Sequence, residues 1–490
     1  MALRHFLIPL LLTALLAAAV GCAVNPVTGD HQLALMSEDQ EIAAGRENDP
    51  KVKNQYGIYD DALLQAYVQQ IGERLAAQSH RPGLIYRFTV LDSADVNAFA
   101  LPGGYIYITR GILAYLNSEA ELAAVLGHEI GHVTARHSVR QYSAAMAANI
   151  GATIASIFVP ELGNQGGQQL LNVLGGALLS GYGRDHELEA DRLGAQYIAR
   201  TGFESNAMIE VVALLKNQEE FEKERAKSEG REPRIYHGVF ASHPSADTRL
   251  QQVVGEARKH LTGGTARTNR DEFLRRIDGL TFGDSPKEGI RRGNSFYHRD
   301  LNFALRFPDG WRLENNPKSL NARNTDNTAL ISVSVEDLNR RIMPREFMLQ
   351  RLKLGELTRE GPLEGVRLPT HSAVANISTP YGKRETRVSV VFYNNRAFVF
   401  YGTTKSTVEF NNFDRLFQQT AASLHALTPD EKRLANGLHI GVVRVERGDG
   451  FTKLGQRSPI GTYAESVLRL INDKYPSGEL TVGEKIKVIR

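Results

Sequence analysis

Residues 118–142, SEAELAAVLGHEIGHVTARHSVRQY, predict the helix that decides the fold of the first domain. Ser118 followed by Glu121 has the spacing of a capping box, which marks a helix N-terminus. Apolar residues then recur at helical spacing, where they would face a core: Leu122, Val125, Leu126, Ile130 and Val133. The sequence therefore predicts a largely apolar helix that begins just after Ser118.

Two histidines lie within this helix, in the run His128-Glu129-Ile130-Gly131-His132. A spacing of four residues places both imidazoles on one face, one turn apart, where they can bind a single zinc ion. Glu129 lies beside that face, which suits a general base acting on zinc-activated water. The alternative is a pair of solvated or capping histidines on a surface helix.

A second, acidic helix is predicted at residues 184–200 and offers candidates for a third metal ligand. Glu187 and Asp191 are four residues apart and share a face, whereas Glu189 points elsewhere. One carboxylate of such a pair can bind zinc while the other orients a ligand histidine.

The composition is that of an ordinary globular protein. The chain has 490 residues, 42% of them hydrophobic and 23% charged, and is long enough for two to four domains. A formal net charge of +3 is small for a chain of this length and gives no indication of a basic surface that binds nucleic acid. Cys22 is the only cysteine, so the folded part has no zinc–thiolate site, and histidine and carboxylate must hold any metal.

Residues 1–21 predict a signal peptide, with a basic start and an apolar run that end at Gly21. The junction before Cys22 resembles a lipobox, in which the cysteine is acylated, although Ala19 stands where leucine is common. We expect a lipid-anchored protein of the periplasm. By resemblance to enterobacterial sorting, Ala23 after the cysteine favours the outer membrane. The alternatives are an ordinary secretory signal and an uncleaved N-terminal anchor.

The paired motifs HEIGH and ELEAD, preceded by NAFALPGGYIYITRGIL at residues 97–113, resemble one family of zinc metallopeptidases. It is the gluzincin family of CAAX prenyl endopeptidases, HtpX, Oma-type proteases and BepA-type periplasmic proteases. The likeness covers about residues 36–260. It implies a mainly α-helical zincin-type domain with a small edge sheet, and one Zn²⁺ per chain.

The resemblance also implies a role for each residue of the site. Glu187 would be the third zinc ligand beside His128 and His132, and Asp191 would support the first histidine. Glu129 would be the catalytic base.

A further histidine, His243 in Ser242-His243-Pro244, is similar to a segment of the soluble periplasmic members whose histidine can approach the metal. It is a candidate fourth ligand or gate, which would displace the catalytic water and hold the enzyme inactive. A plain surface histidine is the alternative. Separately, Tyr105–Thr109 predicts an edge strand to which an extended substrate adds by β-augmentation.

The composition changes after residue 262, where the metallopeptidase domain (37–262, preceded by a tether at 22–36) ends. Residues 263–294 predict a linker. Residues 295–430 predict an α+β domain whose start, LNFALRFPDGWRLEN, resembles PsbP-like modules, and Asn394-Asn395 predicts a hairpin turn within it.

The tail, residues 437–490, resembles a LysM module in its predicted βααβ order and in the run GEKIKV near its end. LysM modules bind glycans that contain N-acetylglucosamine, such as peptidoglycan. Gly450 stands where the pattern commonly has threonine or serine, and a purely structural cap is the alternative.

Together these features predict an α+β multidomain zinc endopeptidase of the bacterial cell envelope that acts on unfolded or misassembled outer-membrane proteins. The alternatives are a periplasmic chaperone or assembly factor with a gated or inactive site, and a peptidoglycan-binding scaffold. The expected partners are misfolded envelope proteins, the outer-membrane assembly machinery, peptidoglycan through the tail, and the membrane through lipid on Cys22. No nucleic-acid partner is expected.

Overall fold

The structure, a computed structural model, describes residues 22–146, 183–229, 233, 266–316 and 319–490. The chain divides into two compact units, the first formed by Met1–Phe282 with Leu438–Arg490 and the second by Gly283–Gly437. The predicted signal peptide and His243 lie outside the described residues. No helix in the described ranges is long and apolar enough to cross a membrane.

The first part of unit one contains, in chain order, β1 Cys22–Val24, β2 His31–Leu33, α1 Glu38–Tyr56, α2 Ala62–Ala76, β3 Arg87–Leu91, β4 Ala98–Leu101, β5 Tyr105–Thr109, α3 Arg110–Tyr115, α4 Glu119–Thr134, α5 Arg184–Arg200, α6 Asn206–Ser228, α7 Arg270–Ile277 and β6 Thr281–Phe282. The helices predominate, and β3, β5 and β4 form a small sheet beside them. The prediction of a mixed α+β chain is confirmed.

The prediction that Tyr105–Thr109 is an edge strand is wrong. This strand, β5, lies between β3, to which it is parallel, and β4, to which it is antiparallel. Gly103 and Gly104 have φ angles of +77° and +87°, so the chain turns tightly there and folds β4 back onto β5. All five residues of β5 are buried, and a new strand has no access to it.

The central helix α4 begins where the sequence predicts. The Ser118 hydroxyl accepts a hydrogen bond from the Glu121 backbone N–H at 3.1 Å. The Glu121 carboxylate accepts from the Asn117 N–H at 2.8 Å, one residue earlier than in a capping box. Every residue of α4 is buried, so the helix runs through the core rather than along the surface.

Glycines line the contact between α4 and α5 and allow the two helices to approach each other closely. A Cβ atom added to Gly131 would lie 2.9 Å from the Ala190 carbonyl oxygen, and one added to Gly194 would lie 2.9 Å from the His128 backbone nitrogen. Neither distance leaves room for a larger side chain. The glycine within HEIGH thus allows the acidic helix to approach the two histidines.

A buried ion cluster joins α1 to the C-terminal end of α4. Glu41, 1% exposed, accepts from Arg81 Nη1 at 2.8 Å and from Arg136 Nε at 2.9 Å. Arg81 Nη1 also donates to the Val133 carbonyl oxygen at 3.1 Å. Arg136 has a φ of +56°, so the cluster holds the chain in a turn immediately after α4.

The second unit contains, in chain order, β7 Ile290–Arg292, β8 Ser295–His298, β9 Phe303–Arg306, β10 Arg312–Asn316, β11 Ser319–Arg323, β12 Ala329–Asp337, α8 Pro344–Gln350, β13 Thr358–Gly361, β14 Thr370–Thr379, β15 Gly382–Tyr393, β16 Arg396–Thr404, α9 Phe410–Ala422 and α10 Pro429–Leu434. Among the described residues, β10 to β16 form a seven-stranded antiparallel sheet. Asn394 and Asn395 both have positive φ and make the predicted hairpin turn between β15 and β16.

The two larger helices of this unit cover opposite faces of its sheet. On β16, Phe398 and Phe400 belong to the core that contains Phe417 of α9, whereas Ala397 and Val399 belong to the core that contains Phe347 of α8. Successive residues of a strand point to opposite faces, which is why one strand supplies both cores.

The tail returns to unit one as β17 Leu438–Arg444, α11 Phe451–Arg457, α12 Ala464–Ile471 and β18 Lys485–Ile489, in βααβ order. β6 pairs with β17, so part of the segment predicted as a linker extends the sheet of the tail. The tail, which the sequence predicts as a LysM-like module at residues 437–490, belongs to the same compact unit as α4.

Lys487 of β18 joins the tail to α3. Its side chain is fully buried, and its Nζ donates to the carbonyl oxygens of Ala114 at 2.9 Å, Tyr115 at 3.1 Å and Leu116 at 2.6 Å. These carbonyls belong to the last turn of α3 and the residue after it, where a helix leaves its acceptors unsatisfied. Burial lowers the pKa of Lys487.

Lys487→Met is expected to lower the free energy of unfolding of unit one by about 1–3 kcal/mol, because buried carbonyl oxygens lose their donor. Urea unfolding followed by circular dichroism measures the change. Lys485→Met is the matched control: Lys485 lies on the same strand and makes a surface ion pair with Asp271, so about 0.5 kcal/mol or less is expected. Equal stability of the two variants would contradict the role given to Lys487.

Candidate metal centre

The side chains of His128, His132 and Glu187 converge where α4 packs against α5. His128 Nε2 lies 3.0 Å from His132 Nε2, while Glu187 Oε1 lies 3.4 Å from His132 Nε2 and Glu187 Oε2 lies 3.6 Å from His128 Nε2. The two histidines are on α4 and the glutamate is on α5. In the part of the chain that the structure describes, this is the one group of three such side chains arranged to hold a metal ion.

The geometry of this group fits a divalent metal. Tetrahedral zinc binds nitrogen and oxygen at about 2.0–2.2 Å, which separates two ligand atoms by about 3.3 Å. The three separations found here, 3.0, 3.4 and 3.6 Å, bracket that value. Glu187 is 0% exposed, and a carboxylate at that depth requires a cationic partner. The donor set of two imidazoles and one carboxylate is also one that zinc prefers.

Asp191 lies one turn beyond Glu187 on α5 and approaches the other ring nitrogen of the first histidine. Its Oδ1 is 2.8 Å from His128 Nδ1. A carboxylate at Nδ1 keeps the proton there and leaves Nε2 available to a metal.

His137 and Arg140, two residues that the sequence analysis did not single out, lie on the Nδ1 side of His132. His137 Nδ1 is 2.8 Å from His132 Nδ1, and His137 Nε2 is 3.1 Å from Glu189 Oε2. Arg140 Nη1 also donates to Glu189 Oε2 at 2.8 Å. As helix geometry predicts, Glu189 does not lie on the helix face that Glu187 and Asp191 share. His137 and Arg140, which follow the turn after α4, contact it instead. A signal was present in the sequence, since a third histidine follows HEIGH closely.

The electrostatics of these groups follow from their contacts. Hydrogen bonds from His137 and Arg140 lower the pKa of Glu189 to about 2, so its carboxylate is charged at neutral pH. Burial lowers the pKa of His137 below its usual range. Burial also lowers the pKa of His186, whose ring stacks on that of His137 at 4.3 Å, to about 4. Both imidazoles are therefore neutral at neutral pH.

Glu129 lies next to His128 on α4, and both residues line an apolar pocket. The other residues that line the pocket are Ala98, Ile112, Ala124, Val125, Met208, Val211, Val212 and Leu215. Strand β4 and helices α3, α4 and α6 supply these residues. The surroundings of the Glu129 and His128 side chains on this side of α4 are therefore apolar.

Residues 62–257 match the profile of Peptidase family M48. This segment is an M48 peptidase domain. The family resemblance predicted from HEIGH and ELEAD is thus confirmed, and M48 membership implies a metal site.

Two relatives show how far the likeness extends. The chain is 28% identical over 250 residues to the Beta-barrel assembly-enhancing protease of Yersinia pestis, which covers 49% of each protein. It is 30% identical over 171 residues to Mitochondrial metalloendopeptidase OMA1 of Arabidopsis thaliana, which covers 34% of each. The chain therefore spans about half or less of the length of these two relatives.

One solved structure, the solution structure of cyanobacterial PsbP (CyanoP) from Synechocystis, overlays 30% of this chain and 98% of its own length at a TM-score of 0.22 and 11% identity. Neither the PsbP-like nor the LysM-like assignment goes beyond a prediction.

Zinc is expected to stabilise the chain against thermal unfolding after chelator treatment, by about 2.7 kcal/mol at a free concentration of 100 times Kd. Glu187→Gln is expected to lose most of this stabilisation, because an amide is a poorer ligand than a carboxylate. Glu219→Gln, on the surface of α6, is the control and should respond as wild type does. If zinc stabilised Glu187→Gln equally, Glu187 would not be a ligand.

Proposed function

We propose that this chain is a zinc-dependent endopeptidase of the bacterial cell envelope, which hydrolyses peptide bonds in unfolded or misassembled outer-membrane proteins. The observation that carries the proposal is the convergence of His128, His132 and Glu187, with Glu129 directly after the first histidine. The M48 match supports the reaction class. The name of the Yersinia relative, a beta-barrel assembly-enhancing protease, supports the class of substrate.

In this mechanism, His128, His132 and Glu187 hold the metal, and Asp191 orients His128. A bound zinc ion would supply a Lewis acid that polarises the attacking water and the scissile carbonyl. Glu129 accepts the proton that water loses as it attacks. It then returns that proton to the amide nitrogen, which leaves as an amine. Glu129 is 2% exposed, so the proton is transferred in a site that excludes bulk solvent.

The location and the tail complete the proposal. Acylation of Cys22 would tether the enzyme to the outer membrane on its periplasmic side, near nascent outer-membrane proteins. The βααβ order of the tail supports a LysM-like module that binds peptidoglycan. His243 is proposed as a gate over the metal.

The test is digestion of unfolded casein by the purified full-length chain loaded with zinc. Glu129→Gln is expected to keep zinc and lose about 10²–10⁴-fold in rate, because it cannot accept the proton. A His243→Ala variant is run beside it, and faster cutting by this variant would support the gate.

Zinc binding without cleavage by the wild type and by His243→Ala would contradict the peptidase proposal and favour a chaperone or scaffold. Cleavage that survives in Glu129→Gln would contradict the role given to Glu129. Bound zinc, measured by elemental analysis in each variant, separates loss of chemistry from loss of metal.

The apolar pocket beside Glu129 is expected to select the substrate side chain next to the scissile bond. Val212→Phe should lower cleavage next to large apolar residues relative to small ones by about 10-fold, because the new ring narrows the apolar pocket beside Glu129. Mass spectrometry of casein fragments measures the preference. Val408→Phe, at a residue 84% exposed in the second unit, controls for the added ring. An unchanged fragment pattern in folded Val212→Phe would rule out this pocket as a determinant of specificity.

A further inference from the structure

The second histidine of the metal group contacts partners through both ring nitrogens. Its Nε2 faces His128 and Glu187, whereas its Nδ1 lies 2.8 Å from Nδ1 of His137. His137 is fully buried, and its own Nε2 lies 3.1 Å from Glu189 Oε2. The side chains of His132, His137 and Glu189 therefore form a continuous hydrogen-bonded row that leads away from the metal group.

Only one arrangement of protons satisfies every contact in this row when a metal is bound. A metal needs the lone pair of His132 Nε2, so in the neutral ring the proton is on Nδ1. That proton is donated to His137 Nδ1, which must then carry none. The proton of His137 is therefore on Nε2, where it is donated to the Glu189 carboxylate.

We propose that His137 and Glu189 are positioning residues, which hold His132 in the tautomer and orientation that bind the metal. The inference rests on the metal site of the proposed function, and it is independent of the substrate. His128 receives the same support directly from a carboxylate, Asp191 at 2.8 Å. His132 receives this support from the carboxylate of Glu189 through the imidazole of His137, which lies between them.

The turn after α4 explains how His137 comes to lie beside His132. Helix α4 ends at Thr134, and the chain turns at Arg136, whose φ is +56°. Arg136 Nε donates a 2.9 Å hydrogen bond to the Glu41 carboxylate, which holds Arg136 in that turn. His137 therefore begins the next helical segment close to the ring of His132, while Arg140, one turn later, donates to Glu189 at 2.8 Å.

Zinc affinity, measured by competition with a chromogenic chelator, tests the proposal without reference to activity. His137→Phe keeps a planar ring but offers no acceptor, and it is expected to weaken zinc binding by about 10- to 100-fold. His137→Asn places an amide oxygen near the position of Nδ1, and it is expected to restore affinity to within about threefold of wild type. The visible spectrum of the Co²⁺-loaded protein should change in His137→Phe and return toward that of wild type in His137→Asn.

His80→Phe is the matched control. His80 Nδ1 lies 2.6 Å from the Tyr197 hydroxyl in the same unit, and its ring also contacts the ring of Tyr197. It is expected to leave zinc affinity unchanged, although it also removes a histidine hydrogen bond. The melting temperature of each metal-free variant separates a general loss of stability from a specific loss of affinity.

Wild-type affinity in folded His137→Phe would overturn the proposal, and so would failure of His137→Asn to bind more tightly than His137→Phe. If His137→Phe does not fold, Glu189→Ala is measured instead, at a side chain that is 17% exposed. Unchanged affinity there would equally overturn it. A wild-type chain that binds no zinc would overturn the proposed metal site itself, which distinguishes the two failures.

Discussion

The close contact between α4 and α5 is the constraint on which the candidate metal centre depends. A zinc site requires three protein donors within a few ångströms of one another, and the two histidines and the glutamate that converge here come from helices far apart in sequence. Gly131 and Gly194 remove the side chains that would hold those helices apart. Glu187 can then lie within 3.4 Å of His132 and within 3.6 Å of His128.

Around this contact, buried polar groups fix the ends of the helices. Glu41 and its two arginines hold the turn after α4, and Lys487 satisfies the carbonyl end of α3 just before α4. Removing one partner of a buried ion pair costs about 3–5 kcal/mol, so such groups define one geometry rather than a range. Helix α4 is therefore anchored at both ends, at its C-terminal end by helix α1 and at its N-terminal end by the tail.

This anchoring gives the tail a structural role whatever it binds. β18 is separated from α3 by most of the chain, yet its lysine is fully buried against it. Helices α3 and α6 also supply walls of the pocket beside Glu129, and Tyr475 of the tail donates to Glu224 of α6 at 2.6 Å. The tail thus contacts two of the helices that shape the proposed substrate pocket.

The sequence by itself determined the local features. Ser118 predicts the start of α4, the four-residue spacing of His128 and His132 places both rings on one face, and Asn394-Asn395 predicts a hairpin. Each follows from helix or turn geometry over a few residues. The same local periodicity pairs Glu187 with Asp191, although it does not say which of the two approaches both histidines.

Only the tertiary structure decided which strand is central, which residues support the ligands and where the tail packs. Residues 105–109 predict a strand, but whether that strand is central or at an edge depends on the turn that folds β4 against it. His137 meets His132 because a buried glutamate far away in the sequence holds Arg136 at positive φ. Such contacts are set by long-range packing and burial, which local spacing does not encode.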